Sequence, residues 1–254
     1  DWQMRGRSLL NRDAAGNYKF AHRSIMEYLY VKRFLELKPD ERAKTNWTEQ
    51  MQRFLMEILT DLKERNEDFP DLERADLSEI TREFRSSPLK LSREEAKEML
   101  GNKDLFDKYE NKNGKGIFHL YSMREFPNSE QVVYDRATGL MWQQSGSKET
   151  MKYEDAKKWI DKLNAEKFAG FNDWRLPTLE EAMSLMEPQK NEHGLYNDPI
   201  FDANQQWIWT ADPVKGESWA WVVGFNYGGC GTFILGYYGD LYVRAVRSGQ
   251  SSTE

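Results

Sequence analysis

The chain has 254 residues, of which 39% are hydrophobic and 31% charged, and a formal net charge of −6. That length accommodates one large or two modest domains, and the low apolar share points to a part that is helical and solvent-rich. Residues 1–118 carry 23 basic and 23 acidic side chains, whereas 119–254 carry 13 and 19; so acidic a C-terminal half excludes nucleic acid as partner, because phosphate binding needs clustered Lys and Arg.

The single cysteine, Cys230, excludes an internal disulfide framework and a cysteine-built zinc site, and it fits a reducing, cytoplasmic location. No apolar run reaches the length of a membrane span. The chain opens on Asp1 rather than Met, so an upstream signal peptide stays compatible with it.

Residues 7–20 predict a short hairpin with its turn at Ala15-Gly16-Asn17. A helical face follows, with apolar residues at 25, 28, 29, 31, 34 and 35. Phe20-Ala21-His22-Arg23-Ser24 with Glu27-Tyr28-Leu29 resembles the end of the winged-helix region of STAND-type (NACHT-like) NTPases. The resemblance implies the tail of a larger protein, with His22 packing or capping. Nothing in the chain fits GxxxxGK[ST], so the phosphate-binding part would lie upstream.

The 3.6-residue stripe at 47, 51, 54, 55, 58, 59 and 62 predicts a second helix. Ser92 with Glu95 is a capping box for a helix reaching Leu100, with Gly101 as its stop. The loop 111–116 then marks a domain boundary. The expected organisation is a winged-helix-like tail over 1–38, a helical spacer over 39–116 and a ligand-binding domain over 117–250.

In that last domain, strands are expected at 117–122 and 130–135, and the turn in Tyr134–Trp142 feeds a third. A helix follows at 151–166 with Tyr153, Ala156, Ile160 and Leu163 on one face. Thr178 with Glu181 caps a shorter helix ending near Met186. Trp174 and Leu176 should be core, Arg175 should form a buried or half-buried ion pair, and Trp207 and Trp209 lie on a strand. Trp142, Trp219 and Trp221 are expected in the core, with Arg244 and Arg247 as ion-pair partners in and just after a last strand, Leu241–Val246.

The stretch 219–247 has its own character. Trp219, Trp221, Val223 and Phe225 alternate as in a half-buried strand. Six glycines between 224 and 239 oppose regular structure. Phe225, Tyr227, Phe233, Tyr237 and Tyr238 are interleaved with them, a composition suited to contact surfaces. From Gly224 to Tyr242 there is no Lys, Gln, Glu, Met or Trp, the five amino acids that no codon ending in C encodes. Randomised AAC codons would leave that signature; a glycine-rich hairpin that avoids long side chains is the alternative.

The order D-x-x-TGLMW, amphipathic helix, DWRLPT-x-EE, WTAD, WAWVV and YVRAVR is similar to the Lcl C-terminal domain family, over roughly 117–250. That resemblance implies an α+β, C-type-lectin-like fold related to formylglycine-generating-enzyme-like domains. The Gly/Tyr-rich run before YVRAVRSGQ resembles a variable protein of a diversity-generating retroelement. It implies a varied ligand-binding face made of Gly224, Asn226, Tyr227, Gly229, Gly231, Thr232, Phe233, Ile234, Gly236, Tyr237, Tyr238, Asp240 and Tyr242. Asp212, Val214, Lys215, Glu217 and Ser218 would border it.

No catalytic residue, cofactor or metal site is expected. His22, His119 and His193 are scattered, Glu180-Glu181 serves a helix start, and the formylglycine chemistry needs a cysteine pair. Asn172-Asp173 and Asn197-Asp198 are the only hints of a calcium site and are better read as turns. The expected function is a recognition module for a protein or other macromolecule at the sensor end of a STAND-type NTPase. The rivals are a carbohydrate-binding or adhesin domain without diversification and a degenerate formylglycine-type oxidase.

Overall fold

The computed structural model of the protein describes residues 10–12, 18–20, 23–42, 47–65, 70, 72, 83–235 and 239–248. The chain divides into two compact units, Asp1–Ile80 and Thr81–Glu254. The division falls well before the boundary expected at 116.

In the first unit, β1 (Leu10–Arg12) and β2 (Tyr18–Phe20) pair antiparallel with Leu10 opposite Phe20. The expected turn at 15–17 and His22 lie outside the described residues. Helices α1 (Arg23–Glu36) and α2 (Glu49–Glu64) pack on each other. Met51, Leu55 and Leu59 of α2 are buried, as its periodicity predicts. On α1 the buried line is Glu27, Val31 and Phe34, while Tyr28 and Leu29 stay exposed. The buried face is therefore narrower than the apolar stripe, which includes Tyr28 and Leu29. The buried Glu27 carboxylate is satisfied by the Arg23 Nε at 2.9 Å and the Thr48 hydroxyl at 3.0 Å.

The second unit is α+β. Its helices are α3 (Arg93–Asn102), α4 (Tyr153–Ala165) and α5 (Leu179–Ser184). Strands β3 (Tyr121–Phe126), β4 (Glu130–Asp135), β5 (Leu140–Gln143) and β9 (Val246–Ser248) form one antiparallel sheet in that order. Strands β6 (Trp207–Pro213), β7 (Trp219–Gly224) and β8 (Gly229–Ile234) form a second. Expected strand 117–122 starts later, at Tyr121, because the Leu120 N–H is taken by the Asp135 side chain at 3.0 Å rather than by a ladder.

Both capping boxes are present, Ser92 with Glu95 and Thr178 with Glu181. Tyr153, Ala156, Ile160 and Leu163 are buried along α4, and they pack with Trp174, Leu176, Trp209 and Val222. The other core gathers Trp142, Trp221, Phe225 and Val246 with Leu91, Ala96, Leu100 and Leu105. Residues 83–116 are thus part of this unit's interior rather than a spacer. Burying Leu100 and Leu105 completely is worth about 1.5–3 kcal/mol each.

That early segment is also tied down by polar contacts. The Leu91 N–H donates to the Pro213 carbonyl at 3.1 Å, and the Trp221 indole donates to the Leu91 carbonyl at 3.1 Å. Arg85 clasps the buried Asp212 with both terminal nitrogens. Burial pulls the Arg85 pKa down, but the hydrogen-bonded Asp212 carboxylate more than offsets this and raises it.

Arg175 pairs with the fully buried Glu181 at 2.6 Å, and Arg247 with Asp173 at 2.6 Å, both as expected. Arg244 is a correction. Among the described residues no carboxylate pairs with it; its Nη2 donates to the Asp202 carbonyl at 3.0 Å and the Gln205 side chain at 3.1 Å, under the rings of Phe201 and Phe225. Complete burial lowers its pKa to about 10. The expected last strand is also different. Leu241 and Tyr242 make isolated bridges to Met151 and Ile208, and regular pairing begins only at Val246, where the chain crosses from one sheet to the other.

Candidate functional site

β7 and β8 form a hairpin whose turn, 225–228, carries two exposed side chains, Asn226 and Tyr227. β8 is the edge of its sheet, where unpaired main chain and accessible side chains are available to a partner. The hairpin is fastened from outside the stretch 224–242. The Lys108 N–H donates to the Gly228 carbonyl at 2.9 Å, and the Asp107 carboxylate accepts the Cys230 N–H at 2.9 Å. Asp107 also accepts the N–H groups of Tyr109 and Glu110 at 2.9 and 3.0 Å, an Asx turn that holds the loop itself in place.

The thirteen tip residues do not share one face. Gly224, Gly229, Gly231 and Phe233 lie on the side of β7–β8 that carries Trp207 and Trp209. Thr232 and Ile234 alternate to the side of α3, where the Thr232 hydroxyl accepts from Arg93 Nη2 at 3.0 Å. Phe233 turns inward, its ring edge-on to Trp209 at 5.9 Å. Ile234 and Asp240 are exposed. Tyr242 is half-buried at the opposite edge of the sheet, bonded through its main chain to Trp207 and Trp209 on β6. Gly236, Tyr237 and Tyr238 lie outside the described residues.

Two of the ten described tip residues are interior positions. A Cβ on Gly224 would stand 2.6 Å from the Trp207 ring, and one on Gly229 would stand 2.6 Å from the Asp107 carboxylate. Gly231 differs: its nearest neighbours would be 3.9 and 4.0 Å away, ordinary contact. Of the residues expected to border the face, Asp212 and Val214 are buried, whereas Lys215, Glu217 and Ser218 are exposed. Asp212 is occupied by Arg85, which explains its burial without any outward role.

The structure adds residues that sequence reasoning missed. Tyr109, 54% exposed, stacks on Tyr227 with centroids 4.4 Å apart, and Tyr227 in turn lies 5.5 Å from Trp207. The Asn226 amide donates to Gln206 at 2.9 Å. The outcome is a ridge of three aromatic rings flanked by amides, with Tyr109 and Trp207 contributed by the framework. No local pattern marks Tyr109, which sits in a charged loop far from the tip in sequence. On the other side of β8, a cavity of about 300 Å³ runs along α3 between Arg93, Lys97, Trp221 and Cys230. Burial and the neighbouring Asp107 carboxylate push the Cys230 thiol well up, so it stays protonated and unreactive.

Among the described residues, no group of three or more His, Cys, Asp and Glu is arranged to hold a metal ion, and no helix is long and apolar enough to cross a membrane. His119 has a structural setting: its Nδ1 is 2.7 Å from Asp135 and its Nε2 is 2.8 Å from the Ser184 carbonyl, all buried.

No curated protein and no solved structure matches the chain. A protein family does, in the segment that holds both sheets' central strands and the whole hairpin: residues 131–247 are similar to the Lcl C-terminal domain.

Proposed function

We propose that the second unit is a ligand-binding module with a C-type-lectin-like fold, whose tip has been diversified by a retroelement and performs no chemical step. One observation carries this reading. The stretch that lacks Lys, Gln, Glu, Met and Trp, Gly224 to Tyr242, is the stretch that forms the hairpin turn, the edge strand and the exposed Asp240. Variation of this surface through AAC codons would leave that absence; a glycine-rich hairpin that avoids long side chains is the rival account of it. The similarity of 131–247 to the Lcl C-terminal domain supports the same reading.

The contact set that this reading favours is Asn226, Tyr227, Gly231, Thr232, Ile234 and Asp240, backed by the fixed rings of Tyr109 and Trp207. Aromatic residues supply most of the energy in such interfaces. The ligand is a protein or another macromolecule, and the first unit would join the module to a STAND-type NTPase in the cytoplasm. Sequencing the locus tests the diversification. Codons for these residues should end in C, and a near-copy bearing AAC there should lie beside a reverse transcriptase gene. Codons ending in G or A at most of these positions would rule out adenine-directed variation.

A further inference from the structure

One cleft of the second unit is lined by none of the tip residues. Its volume is about 790 Å³, within the range of roughly 300–1,000 Å³ that small-molecule sites occupy. It opens between the β3–β4 turn, the loop after β5 and the last two turns of α4. The Trp159 and Phe168 rings supply flat apolar surface, and both are half-buried.

The polar lining mixes neutral groups with five charged ones, Glu130, Lys148, Glu149, Lys162 and Glu166. Asn128, Gln131 and Gln143 bring amides, and Ser129 and Ser145 bring hydroxyls. Gln143 is 3% exposed, and its Oε1 accepts the Ala245 N–H at 3.0 Å. That bond fixes which way the amide is turned, and the Nε2 makes no hydrogen bond to the described residues. The charged groups at the rim largely cancel. Glu130 is taken by the Ala169 N–H at 2.7 Å, Lys162 pairs with Glu166 at 3.7 Å, and Lys148 stands next to Glu149. Such a lining offers little net field to select an anion or a cation.

The main chain around the cleft is held in an uncommon conformation. Of the five non-glycine residues with positive φ among those described, Asn128 and Ser129 line the cleft, and Lys167 and Ala169 flank Phe168. Residues held there cost of order 1 kcal/mol or more each and persist only where surrounding bonds over-determine them, a pattern that clusters at ligand sites. Here the Ala169–Glu130 bond and the Gly170 N–H to Lys167 carbonyl bond at 2.7 Å are those restraints.

We infer that this cleft binds a neutral, polyhydroxylated ligand, namely a short saccharide segment. Amides and hydroxyls that both donate and accept match hydroxyl groups, which do the same, and a flat indole covers the apolar face of a sugar ring. This site is independent of the tip and stands or falls apart from it.

The test is calorimetric titration of the full chain with maltotriose, chitotriose and mannotriose, and with a sulfated heparin disaccharide as the anionic comparison. At least one neutral trisaccharide should bind saturably. Trp159→Ala and Gln143→Glu should each weaken that binding at least tenfold; the second keeps an acceptor for Ala245 but replaces the Nε2 donor with a carboxylate oxygen and its charge. Trp159 is half-buried and packs against the core around α4, so Trp159→Phe is made beside it; that variant keeps a ring in place, should hold the parent Tm within a few degrees and should still weaken sugar binding. The inference is overturned by no binding of any neutral sugar, by preference for the sulfated one, or by Trp159→Ala leaving the affinity unchanged.

Discussion

The Asp107 carboxylate accepts the N–H of Cys230 at 2.9 Å, joining a loop near the start of the second unit to the first turn of its edge strand. This contact decides which glycines of the tip can vary, because a Cβ on Gly229 would meet that carboxylate at 2.6 Å while one on Gly231 would meet nothing closer than 3.9 Å. Gly229→Ala should therefore destabilise the protein by about 1–3 kcal/mol, and Gly231→Ser should fall within about 0.5 kcal/mol of the parent. Urea unfolding of the two variants checks this; equal midpoints would show that Asp107 yields without cost.

The aromatic ridge makes a separate prediction. Tyr109 and Tyr227 stack at 4.4 Å in a largely exposed setting. A double-mutant cycle with Tyr109→Ala and Tyr227→Ala should give a coupling of about 0.5–1.5 kcal/mol. A coupling near zero would mean that the rings are held by their backbones and not by each other.

Stability should also depend on pH through one buried pair. Burial by itself would lower the His119 pKa, but Asp135 at 2.7 Å and the Ser184 carbonyl raise it above its ordinary value of 6.5. Burial by itself would raise the Asp135 pKa, but His119, the Thr138 hydroxyl and the Leu120 N–H hold it below 3.8. The histidine contribution is complete below its unfolded pKa and is lost as pH rises through the raised folded value. The aspartate contribution is complete above its unfolded pKa and is lost as pH falls through the lowered one. The stability difference between the parent and His119→Gln should thus be greatest between about pH 4 and 6.5 and should shrink at higher pH. Thermal unfolding across pH 3–9 measures it, and a difference that grows above neutrality would refute the assignment.

Two helix starts with the same sequence signature should respond unequally. Ser92→Ala removes an N-cap at the edge of the core and should cost about 1 kcal/mol. Glu181 completes the other capping box and also receives Arg175 at 2.6 Å while fully buried. Its replacement by Ala leaves a guanidinium without its partner and should cost about 3–5 kcal/mol. Denaturant midpoints for the two variants would settle the ratio.

The sequence by itself determined what local physics controls. The capping residues Ser92 and Thr178 and the 3.6-residue spacing of Tyr153, Ala156, Ile160 and Leu163 each act within a few residues, so each could be read before folding was considered. The strand at Trp219–Gly224 was legible too, but it is buried on both faces and not half-buried as its alternation implies. The composition of the tip was equally legible, since it is a property of the chain and not of its shape.

Tertiary structure alone decided which tip residues have room and which neighbours they have. Gly224 and Gly231 look alike in sequence, but a Cβ on the first would stand 2.6 Å from the Trp207 ring and one on the second 4.0 Å from it. Tyr109, Asp107 and Arg93 reach the hairpin across more than a hundred residues of chain. Arg244, expected to pair with an acid, was drawn beneath Phe201 and Phe225 instead. Each of these outcomes depends on packing between distant segments, which residue type and spacing do not encode locally.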